Sequence, residues 1–343
     1  MNFSAPAGGR RHRLGLVGMG TIGKRLADAV MRVPEFELCG VAVRRATPSL
    51  APLIARGMPV YAAFDQDSAS LEIGCAGEFE QLLSHCDIVL DCTPRGTGAD
   101  LARCYESAGV RVVYQGGESA ATAAATYCYG AGFDEAASAS SVRVVSCNTT
   151  GLTRLCRGLE RAGPVASVRA SLTRSAADPD KSAKGRPNAL VASPRDSHHG
   201  LDIRAFWPEL DIRTIASYAP VNCGHLATVF VRMQRPVAVA DVVDALRRTP
   251  RIRLVEGTGS LADLRVEGHG SRRNDCHDVI VWEHGIDVTG DEILLSAGIH
   301  MESIVIPETL DVLFAMTGLE TEFERAMCRS DLVLGHVHAL ERS

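Results

Sequence analysis

The sequence predicts an α/β protein of two domains, a doubly wound parallel sheet followed by an α+β region with a mixed or antiparallel sheet. Strand and helix patterns alternate up to residue 146, as they do in parallel sheets with helical connections. After Gly163 the pattern becomes rich in β-type segments. The length of 343 residues also exceeds that of one ordinary core, which favours two domains.

Hydrophobic periodicity places the individual elements. In the first region we predict strands at 14–17, 37–43, 87–91, 110–114 and 143–145, with helices at 24–32, 79–84 and 99–108. The second region has predicted strands at 168–172, 216–218, 227–233, 278–283 and 292–295, and a helix at 239–247. Two further helices, at 307–316 and 319–329, close the chain.

Composition excludes several classes of protein. Apolar residues make up 46% of the chain and the formal net charge is -5, with no extended basic stripe for nucleic acid. No apolar run reaches the length of about 18 residues that a membrane span needs. The eleven cysteines are scattered without a Cys-x-x-Cys pair, which favours reduced thiols and a cytoplasmic location. Metal-ligand spacing is also missing, so we expect no metal site.

A glycine motif follows the first predicted strand. Gly18, Gly20 and Gly23 form the pattern G-x-G-x-x-G, with Thr21 and Ile22 inside it, and a helix follows. That context is the dinucleotide-binding fingerprint of Rossmann domains, in which the helix N-terminus holds the pyrophosphate. The alternative is a strand-to-helix turn with a purely structural role.

The end of the second predicted strand bears on the choice of nicotinamide cofactor. A site selective for NAD usually carries an acidic residue there, which binds the ribose 2′-OH. Here the strand ends in Val43-Arg44-Arg45-Ala46-Thr47, and two arginines with a threonine suit a 2′-phosphate. We therefore expect NADP to be preferred and NAD to be possible, whereas the alternative is a solvated basic loop.

Two further loops belong to the same predicted edge of the sheet, because ligands bind at the carboxyl ends of strands in open α/β sheets. The loop after the strand 87–91 contains Thr93 and Pro94, and the loop after the strand 110–114 contains Gly116 and Gly117.

Cys147 is the candidate nucleophile. It lies between a predicted strand and a helix predicted from Gly151, where backbone N–H groups and the helix dipole would lower the pKa of its thiol. Asn148, Thr149 and Thr150 are predicted capping residues, and Asn148 is also a predicted donor to an oxyanion. The alternative is a buried structural cysteine in a capped turn.

A long polar loop, predicted at 176–204, interrupts the second region. Such a loop within a compact domain is usually functional or disordered. Its basic residues suit a phosphate group, and the alternative is a solvated surface. They are Lys181, Lys184, Arg186, Arg195, His198 and His199.

Taken in order from about residue 14 to 325, these pieces resemble the archaeal-type (type II) glyceraldehyde-3-phosphate dehydrogenases. The pieces that carry the resemblance are Gly20-Thr21-Ile22-Gly23-Lys24-Arg25, Asp91-Cys92-Thr93-Pro94 with Gly96 and Gly98, Gln115-Gly116-Gly117-Glu118, Ser146-Cys147-Asn148-Thr149-Thr150-Gly151-Leu152, Ala176-Ala177-Asp178-Pro179, His198-His199-Gly200 with Asp202, and Glu302-Ser303 with Pro307-Glu308.

The resemblance implies a Cys147 nucleophile and a catalytic base at His225. Cys147 would form a thiohemiacetal and then a thioester, which inorganic phosphate would release as an acyl phosphate. Together with the predictions above, the candidate cofactor-binding residues are Gly18, Gly20, Thr21, Ile22, Gly23, Arg44, Arg45, Thr93, Pro94, Gly116, Gly117 and Arg174. The candidate substrate-binding residues are Ser146, Asn148, Thr149, His198 and His199.

Three positions depart from the pattern of that family. Ser175 follows Arg174 where the family usually has a second arginine, Met301 stands in place of a glutamine, and Thr309 stands where an asparagine is frequent. Loss of one charge-assisted contact would weaken the binding of a doubly charged phosphate by roughly 1.5–3 kcal/mol.

Three functions are therefore open. The first is a phosphorylating, NADP-preferring dehydrogenase acting on glyceraldehyde 3-phosphate and inorganic phosphate. The second is a divergent member that uses the same cysteine chemistry on another small phosphorylated, phosphonylated or acidic aldehyde. The third is a cofactor-binding regulatory protein without turnover. Activity with glyceraldehyde 3-phosphate separates the first two, and trapping of an acyl-enzyme at Cys147 separates both from the third.

The resemblance also implies an organisation of the chain. We predict a disordered extension at 1–13, a cofactor-binding domain at 14–146 and a catalytic and oligomerisation domain at 147–302. The C-terminal helices, within 303–343, are predicted to pack back on the cofactor domain. We expect a homo-oligomer, most simply a tetramer, whose main interface lies in the β-rich domain.

Overall fold

The computed structural model describes residues 10–66, 69, 71, 73–115, 117–175, 190–192, 197–221, 223–270 and 275–335. The chain divides into two compact units. The first consists of Met1–Val145 together with Ile306–Glu341, and the second of Ser146–Val305. Within the described ranges, no helix is both long enough and apolar enough to cross a membrane.

The strands and helices of the described residues are as follows. The strands are β1 His12–Val17, β2 Phe36–Val43, β3 Val60–Ala62, β4 Ile88–Asp91, β5 Arg111–Tyr114, β6 Ala125–Tyr127, β7 Ser141–Val144, β8 Val165–Ser175, β9 Val191–Ala192, β10 Asp211–Ala219, β11 His225–Met233, β12 Ile252–Val255, β13 Val279–Trp282, β14 Asp287–Thr289 and β15 Glu292–Ile299. The helices are α1 Thr21–Val30, α2 Ala51–Ile54, α3 Phe79–Ser84, α4 Thr97–Ala108, α5 Phe133–Ser138, α6 Cys147–Leu159, α7 His198–Phe206, α8 Val239–Arg247, α9 Asp263–Gly270, α10 Ile306–Thr317 and α11 Phe323–Leu334.

The first unit contains the predicted parallel sheet. Its seven described strands are ordered β3-β2-β1-β4-β5-β7-β6, and every neighbouring pair is parallel. The strand order reverses between β1 and β4, and that is the point at which ligands bind in doubly wound sheets. The loops that follow β1 and β4 therefore lie side by side at the ligand-binding edge. This part of the predicted fold class is confirmed.

The C-terminal helices belong to the same unit as this sheet. Helix α10 is buried along almost its whole length, and its Asp311 accepts hydrogen bonds from Tyr127 Oη at 2.9 Å and from Ser330 Oγ at 2.6 Å. The last helix begins at Phe323, four residues later than predicted, because the backbone is still extended at its N-cap, Glu322. Gly318, with a positive φ of 70°, follows the end of α10.

The second unit is built on a mixed sheet. Its described strands run in the order β12-β13-β15-β11-β8-β10-β9, and β14 pairs with β15 at one side. Strands β8 and β10 are parallel, whereas β11 is antiparallel to both β8 and β15. The predicted mixed sheet is thus confirmed. Strand β8 is longer than predicted because β10 and β11 supply pairing partners along nearly all of its length.

Helix α6 lies on one face of the second sheet, against β8, β11, β13 and β15. The opposite face carries several exposed apolar side chains on its central strands. Ile215 is 57% exposed, Phe230 51% and Leu294 37%. Phe230 and Leu294 are directly paired across β11 and β15, so they form a continuous apolar surface.

Candidate active site

The glycine motif between β1 and α1 forms an open cradle. Gly18 has a φ of 91°, which only glycine adopts without strain, and a side chain at Gly23 would overlap the carbonyl oxygen of Gly18. A side chain at Gly20 would meet nothing within 4 Å, so the backbone here is open to a close ligand. Helix α1 starts at Thr21, three residues before the predicted start, with no acidic residue in its first turn. These features fit a dinucleotide pyrophosphate.

Two carboxylates that we did not predict as functional hold the neighbouring loops. Asp91, at the end of β4, accepts hydrogen bonds from Thr93 N at 2.9 Å, Thr93 Oγ1 at 2.5 Å and Tyr105 Oη at 2.8 Å. Burial raises the pKa of Asp91 above its ordinary value. Glu118 accepts from the backbone N–H groups of Gly96 and Gly98, at 2.8 and 2.9 Å, and thereby caps α4.

Of the glycine pair after β5, the structure describes Gly117, and Gly116 lies outside the described residues. A side chain at Gly117 would contact Arg95 at 3.3 Å, so the two loops approach each other closely. Gln115, which precedes the pair, is buried and donates to Thr309 Oγ1 at 3.2 Å. Thr309 therefore has a partner in the loop that we predicted to hold the cofactor.

The predicted 2′-phosphate site contains a carboxylate. Arg44 forms an ion pair with Asp65, and both side chains are about half exposed. Arg45 is exposed, and Thr47 Oγ1 lies 2.7 Å from Ser49 Oγ. A phosphate bound to Arg44 would have to compete with Asp65, a partner that the sequence pattern did not indicate.

Cys147 is the first residue of α6, and this changes our prediction. The helix begins at Cys147 and not at Gly151, with Ser146 as its N-cap. Ser146 Oγ lies 2.9 Å from Thr149 Oγ1 and accepts from Thr149 N at 3.4 Å. The predicted capping role of residues 148–150 is therefore wrong. These residues are poor helix formers alone, but burial in the second unit holds them in the first turn.

His199 lies beneath this first turn and is engaged at both ring nitrogens. Its Nε2 is 3.4 Å from Asn148 Nδ2, and its Nδ1 is 2.9 Å from Ser197 Oγ. Burial lowers the pKa of His199 to about 2, and the neighbouring Arg174 acts in the same direction. The imidazole is therefore neutral at ordinary pH, and it is only 1% exposed.

His198 occupies a different environment from His199. It is exposed at the start of α7, and its ring centroid lies 4.0 Å from that of His199. Arg174 is half-buried on β8, donates to Tyr218 Oη at 2.9 Å and lies 5.0 Å from the centre of that ring. His198 and Arg174 are thus the basic side chains of this site, among the described residues, that solvent reaches. The predicted cations Lys181, Lys184, Arg186 and Arg195 lie outside the described residues.

His225 begins β11 and is almost fully buried. Its Nδ1 accepts the backbone N–H of Ser175 at 2.9 Å. A neutral imidazole whose Nδ1 accepts a hydrogen bond carries its proton on Nε2. His225 therefore presents a donor at Nε2, which differs from the basic nitrogen that our prediction of a general base requires.

Comparison with known proteins identifies the family. The chain is 38% identical over 334 residues to a protein of Hyperthermus butylicus named glyceraldehyde-3-phosphate dehydrogenase, covering 95% of this chain and 97% of that protein. Proteins of the same name from Aeropyrum pernix and Archaeoglobus fulgidus are each 37% identical, with 94% of this chain and 97% of each relative covered. The chain belongs to the archaeal-type glyceraldehyde-3-phosphate dehydrogenase family. The model of the glyceraldehyde 3-phosphate dehydrogenase C-terminal domain matches residues 146–265, and Ser146 is also where the second unit begins.

One position that departs from this dehydrogenase family has a clear structural environment. Ser175 is buried, and its hydroxyl donates to the carbonyl oxygen of Val221 while its N–H binds His225. It therefore ties the end of β8 to the turn before β11. A longer cationic side chain at position 175 would not fit in the buried space that Ser175 occupies and would have to point elsewhere.

A buried arginine anchors the helix of Cys147, and sequence reasoning missed it. Arg154 is fully buried in α6 and donates to the carbonyl oxygens of His277 at 2.6 Å, Ile304 at 2.9 Å and Arg251 at 3.3 Å. The sequence feature that indicates such a buried arginine is a charged residue between Leu152 and Leu155, on the side of the helix that apolar residues occupy.

Proposed function

We propose that this chain is a phosphorylating, NAD(P)-dependent glyceraldehyde-3-phosphate dehydrogenase. It would convert glyceraldehyde 3-phosphate, inorganic phosphate and NAD(P)+ into 1,3-bisphosphoglycerate and NAD(P)H. The observation that carries the proposal is the half-exposed Cys147 at the first position of the 13-residue helix α6. Backbone N–H groups and the helix dipole at that position stabilise a thiolate, which is the nucleophilic form of cysteine.

The reaction begins when the Cys147 thiolate adds to the aldehyde carbon and forms a thiohemiacetal alkoxide. Loss of hydride from that carbon leaves a thioester on Cys147. Inorganic phosphate then attacks the thioester carbonyl, the C–S bond breaks, and the products are the acyl phosphate and the regenerated thiolate. Gly18 and Gly20 would hold the dinucleotide, whose nicotinamide would supply the acceptor for this hydride.

In this reaction His225 acts as a hydrogen-bond donor. Its Nε2–H, set by the N–H of Ser175, stabilises the negative oxygen of the tetrahedral intermediates. An alkoxide can expel hydride without first losing a proton, so the oxidation step itself does not require a base at this position. This role replaces the general base that the resemblance implied.

The phosphate groups of the reaction would bind at two basic side chains of the site that solvent reaches, His198 and Arg174. His198 and Arg174 lie close enough to His199 to lower its pKa, and both face solvent more than His199 does. Ser146 and Thr149, on the first turn of α6, are proposed to complete the substrate site. Asn148 and His199 are buried and support this surface from below.

Ser175 favours a second candidate within the same reaction class. Because it replaces a cation of the family pattern with a buried hydroxyl, one charge-assisted contact is missing from the site. The alternative is therefore oxidation of another small phosphorylated, phosphonylated or acidic aldehyde. The intact Cys147-Asn148-Thr149 segment argues against a protein that only binds cofactor and regulates.

Three finer features accompany the proposal. Arg44 and Arg45 support a preference for NADP over NAD, with Asp65 as a competitor for Arg44. The exposed apolar pair Phe230 and Leu294, with exposed Ile215 on the same face of the sheet, supports a homo-oligomer, proposed to be a tetramer. All eleven cysteines lie among the described residues and none is in a disulfide, which supports a cytoplasmic location.

The proposal is tested by steady-state turnover of the purified protein with glyceraldehyde 3-phosphate, phosphate and either NADP or NAD. We expect kcat/KM above about 10⁴ M⁻¹s⁻¹, as for ordinary enzymes on their own substrates. Cys147→Ser should abolish turnover but retain cofactor binding, whereas Cys328→Ser, at another half-exposed cysteine, should retain both. Turnover by Cys147→Ser would exclude the mechanism. A rate only with another aldehyde would establish the second candidate.

A further inference from the structure

Four side chains form a continuous hydrogen-bonded chain under the first turn of α6, which we call the α7 relay: Asn148, His199, Ser197 and Thr214. The steps are 3.4 Å from Asn148 Nδ2 to His199 Nε2, 2.9 Å from His199 Nδ1 to Ser197 Oγ, and 2.6 Å from Ser197 Oγ to Thr214 Oγ1. All four residues are buried, with exposures from 0% to 8%. None of them except Asn148 lies on the helix of Cys147.

Backbone groups at the far end set the direction of this chain. Thr214 Oγ1 accepts from the N–H of Gly200 at 3.0 Å and donates to the carbonyl oxygen of Ser197 at 3.2 Å. The single proton of the Thr214 hydroxyl is then used, so Ser197 must donate to Thr214. The Ser197 oxygen is left as the acceptor for His199 Nδ1–H. If Thr214 instead donated to Ser197 Oγ, its hydroxyl would have no proton left for the carbonyl oxygen of Ser197. That arrangement therefore makes one hydrogen bond fewer.

The same direction determines the other end of the relay. If His199 carries its proton on Nδ1, its Nε2 is an acceptor and takes the amide N–H of Asn148. The carbonyl Oδ1 of Asn148 is then turned away, and it is buried with no hydrogen-bond partner among the described residues. Such an orphaned acceptor is unusual in a native protein and points to a functional constraint on the amide.

We propose that Ser197 and Thr214 are positioning residues of this site. They hold His199 in its Nδ1–H tautomer and, through it, fix the Asn148 amide and the first turn of α6 that carries Cys147. His199 and His225 are thus neutral imidazoles of opposite tautomer, each set by a different part of the second unit. The kinetic consequences rest on the proposed activity, whereas the tautomer and the reactivity of Cys147 do not.

The tautomers are measured directly by two-bond proton–nitrogen correlation on the wild-type protein with ¹⁵N-labelled histidine. The charged and titratable groups that face His199 are His198, Arg174 and His225. We expect one histidine to keep the Nδ1–H form between about pH 5 and 9, and its signal to be missing from His199→Gln. A cationic or Nε2–H His199 in that range overturns the proposal, and this readout does not depend on turnover.

The positioning role is measured with Thr214→Val, which keeps the shape of the side chain but removes the hydroxyl. We expect kcat, and the rate of Cys147 alkylation by iodoacetamide, to fall about tenfold or more, while KM for the cofactor stays unchanged. Thr214→Ser keeps the hydroxyl and should restore both rates. Ser217→Ala, which removes a hydroxyl from the same strand outside the relay, is the matched control.

The outcomes separate this inference from the proposed function. If the wild-type protein does not turn over glyceraldehyde 3-phosphate, the proposed function is refuted. The tautomer of His199 and the alkylation rate of Cys147 still test whether Ser197 and Thr214 are positioning residues. Folded Thr214→Val with unchanged kcat and alkylation overturns the positioning role. An equal loss of both rates in Thr214→Val and Thr214→Ser also overturns the positioning role, because the effect then does not depend on the hydroxyl.

Discussion

The backbone N–H of Ser175 donates to Nδ1 of His225 across 2.9 Å, and this single contact decides what the histidine can do. It leaves the proton of the neutral ring on Nε2, so His225 is a donor toward any group on that side. The residue that supplies the N–H, Ser175, is also one of the three that depart from the family pattern. Because the contact uses the backbone, the identity of the side chain at 175 can vary without changing the tautomer of His225.

The donor role of His225 predicts a difference between two substitutions. His225→Gln places an amide N–H near the former Nε2–H and should retain a substantial part of kcat. His225→Ala removes the donor and should lower kcat by about 10²–10³, the usual effect of deleting one oxyanion donor. Steady-state kinetics of both variants checks this. Equal losses in both would indicate that a base, not a donor, is needed.

The pair Arg44–Asp65 predicts the cofactor preference of two further variants. Asp65→Asn removes the competing carboxylate, so it should lower KM for NADP several-fold and leave KM for NAD nearly unchanged. Arg44→Ala with Arg45→Ala should raise KM for NADP far more than KM for NAD, because the 2′-phosphate loses its cations. KM values measured with both cofactors for each variant give the comparison. Parallel shifts for NADP and NAD would remove the role assigned to these arginines.

Buried Asp91 predicts a pH dependence of stability. Its pKa is raised above 3.8 in the folded protein, chiefly by burial. The folded state therefore binds its proton more tightly than the unfolded state, and Asp91 lowers stability as pH rises from about 4 through the folded pKa. Asp91→Asn should thus gain free energy of unfolding relative to wild type over that interval. Urea denaturation between pH 4 and 8 measures it, and a difference that does not change with pH would contradict the prediction.

Arg154 predicts a large stability effect from one helix position. Arg154→Met removes the donors to the carbonyl oxygens of His277, Ile304 and Arg251, and should lower the free energy of unfolding by about 3 kcal/mol or more. Arg157→Met is the matched control on the same helix, because that side chain is 40% exposed and lies over Trp207 at 3.8 Å. The control should lose only about 1 kcal/mol. Similar losses in the two variants would refute the anchoring role.

The exposed face of the second sheet predicts the oligomeric state. Phe230→Asp places a charge next to Leu294 on this exposed face and should convert an oligomer to smaller species, which light scattering after size exclusion detects. Val266→Asp, at an apolar residue of α9 that is 63% exposed, should leave the mass unchanged. An unchanged mass for Phe230→Asp would place the interface elsewhere.

Local patterns were sufficient for much of the fold. Helices α3 and α8 begin and end where their periodicity predicts, since their amphipathic faces decide them. The start of α6 was predicted four residues too late, because its first turn consists of poor helix formers that are held by burial. Strand β8 was predicted too short, because its partners β10 and β11 come later in the chain and their pairing determines its length.

By itself, the sequence determined the α/β class, the glycine cradle after β1 and Cys147 as the candidate nucleophile, since each depends on residues within a few positions of one another. Only the tertiary structure decided the roles of the polar groups around them. Ser175 is 50 residues from His225, Asn148 is 51 from His199, and Arg44 is 21 from Asp65. A tautomer, an amide orientation or an ion pair depends on which partner lies within hydrogen-bonding distance, and folding brings these partners together from distant parts of the chain.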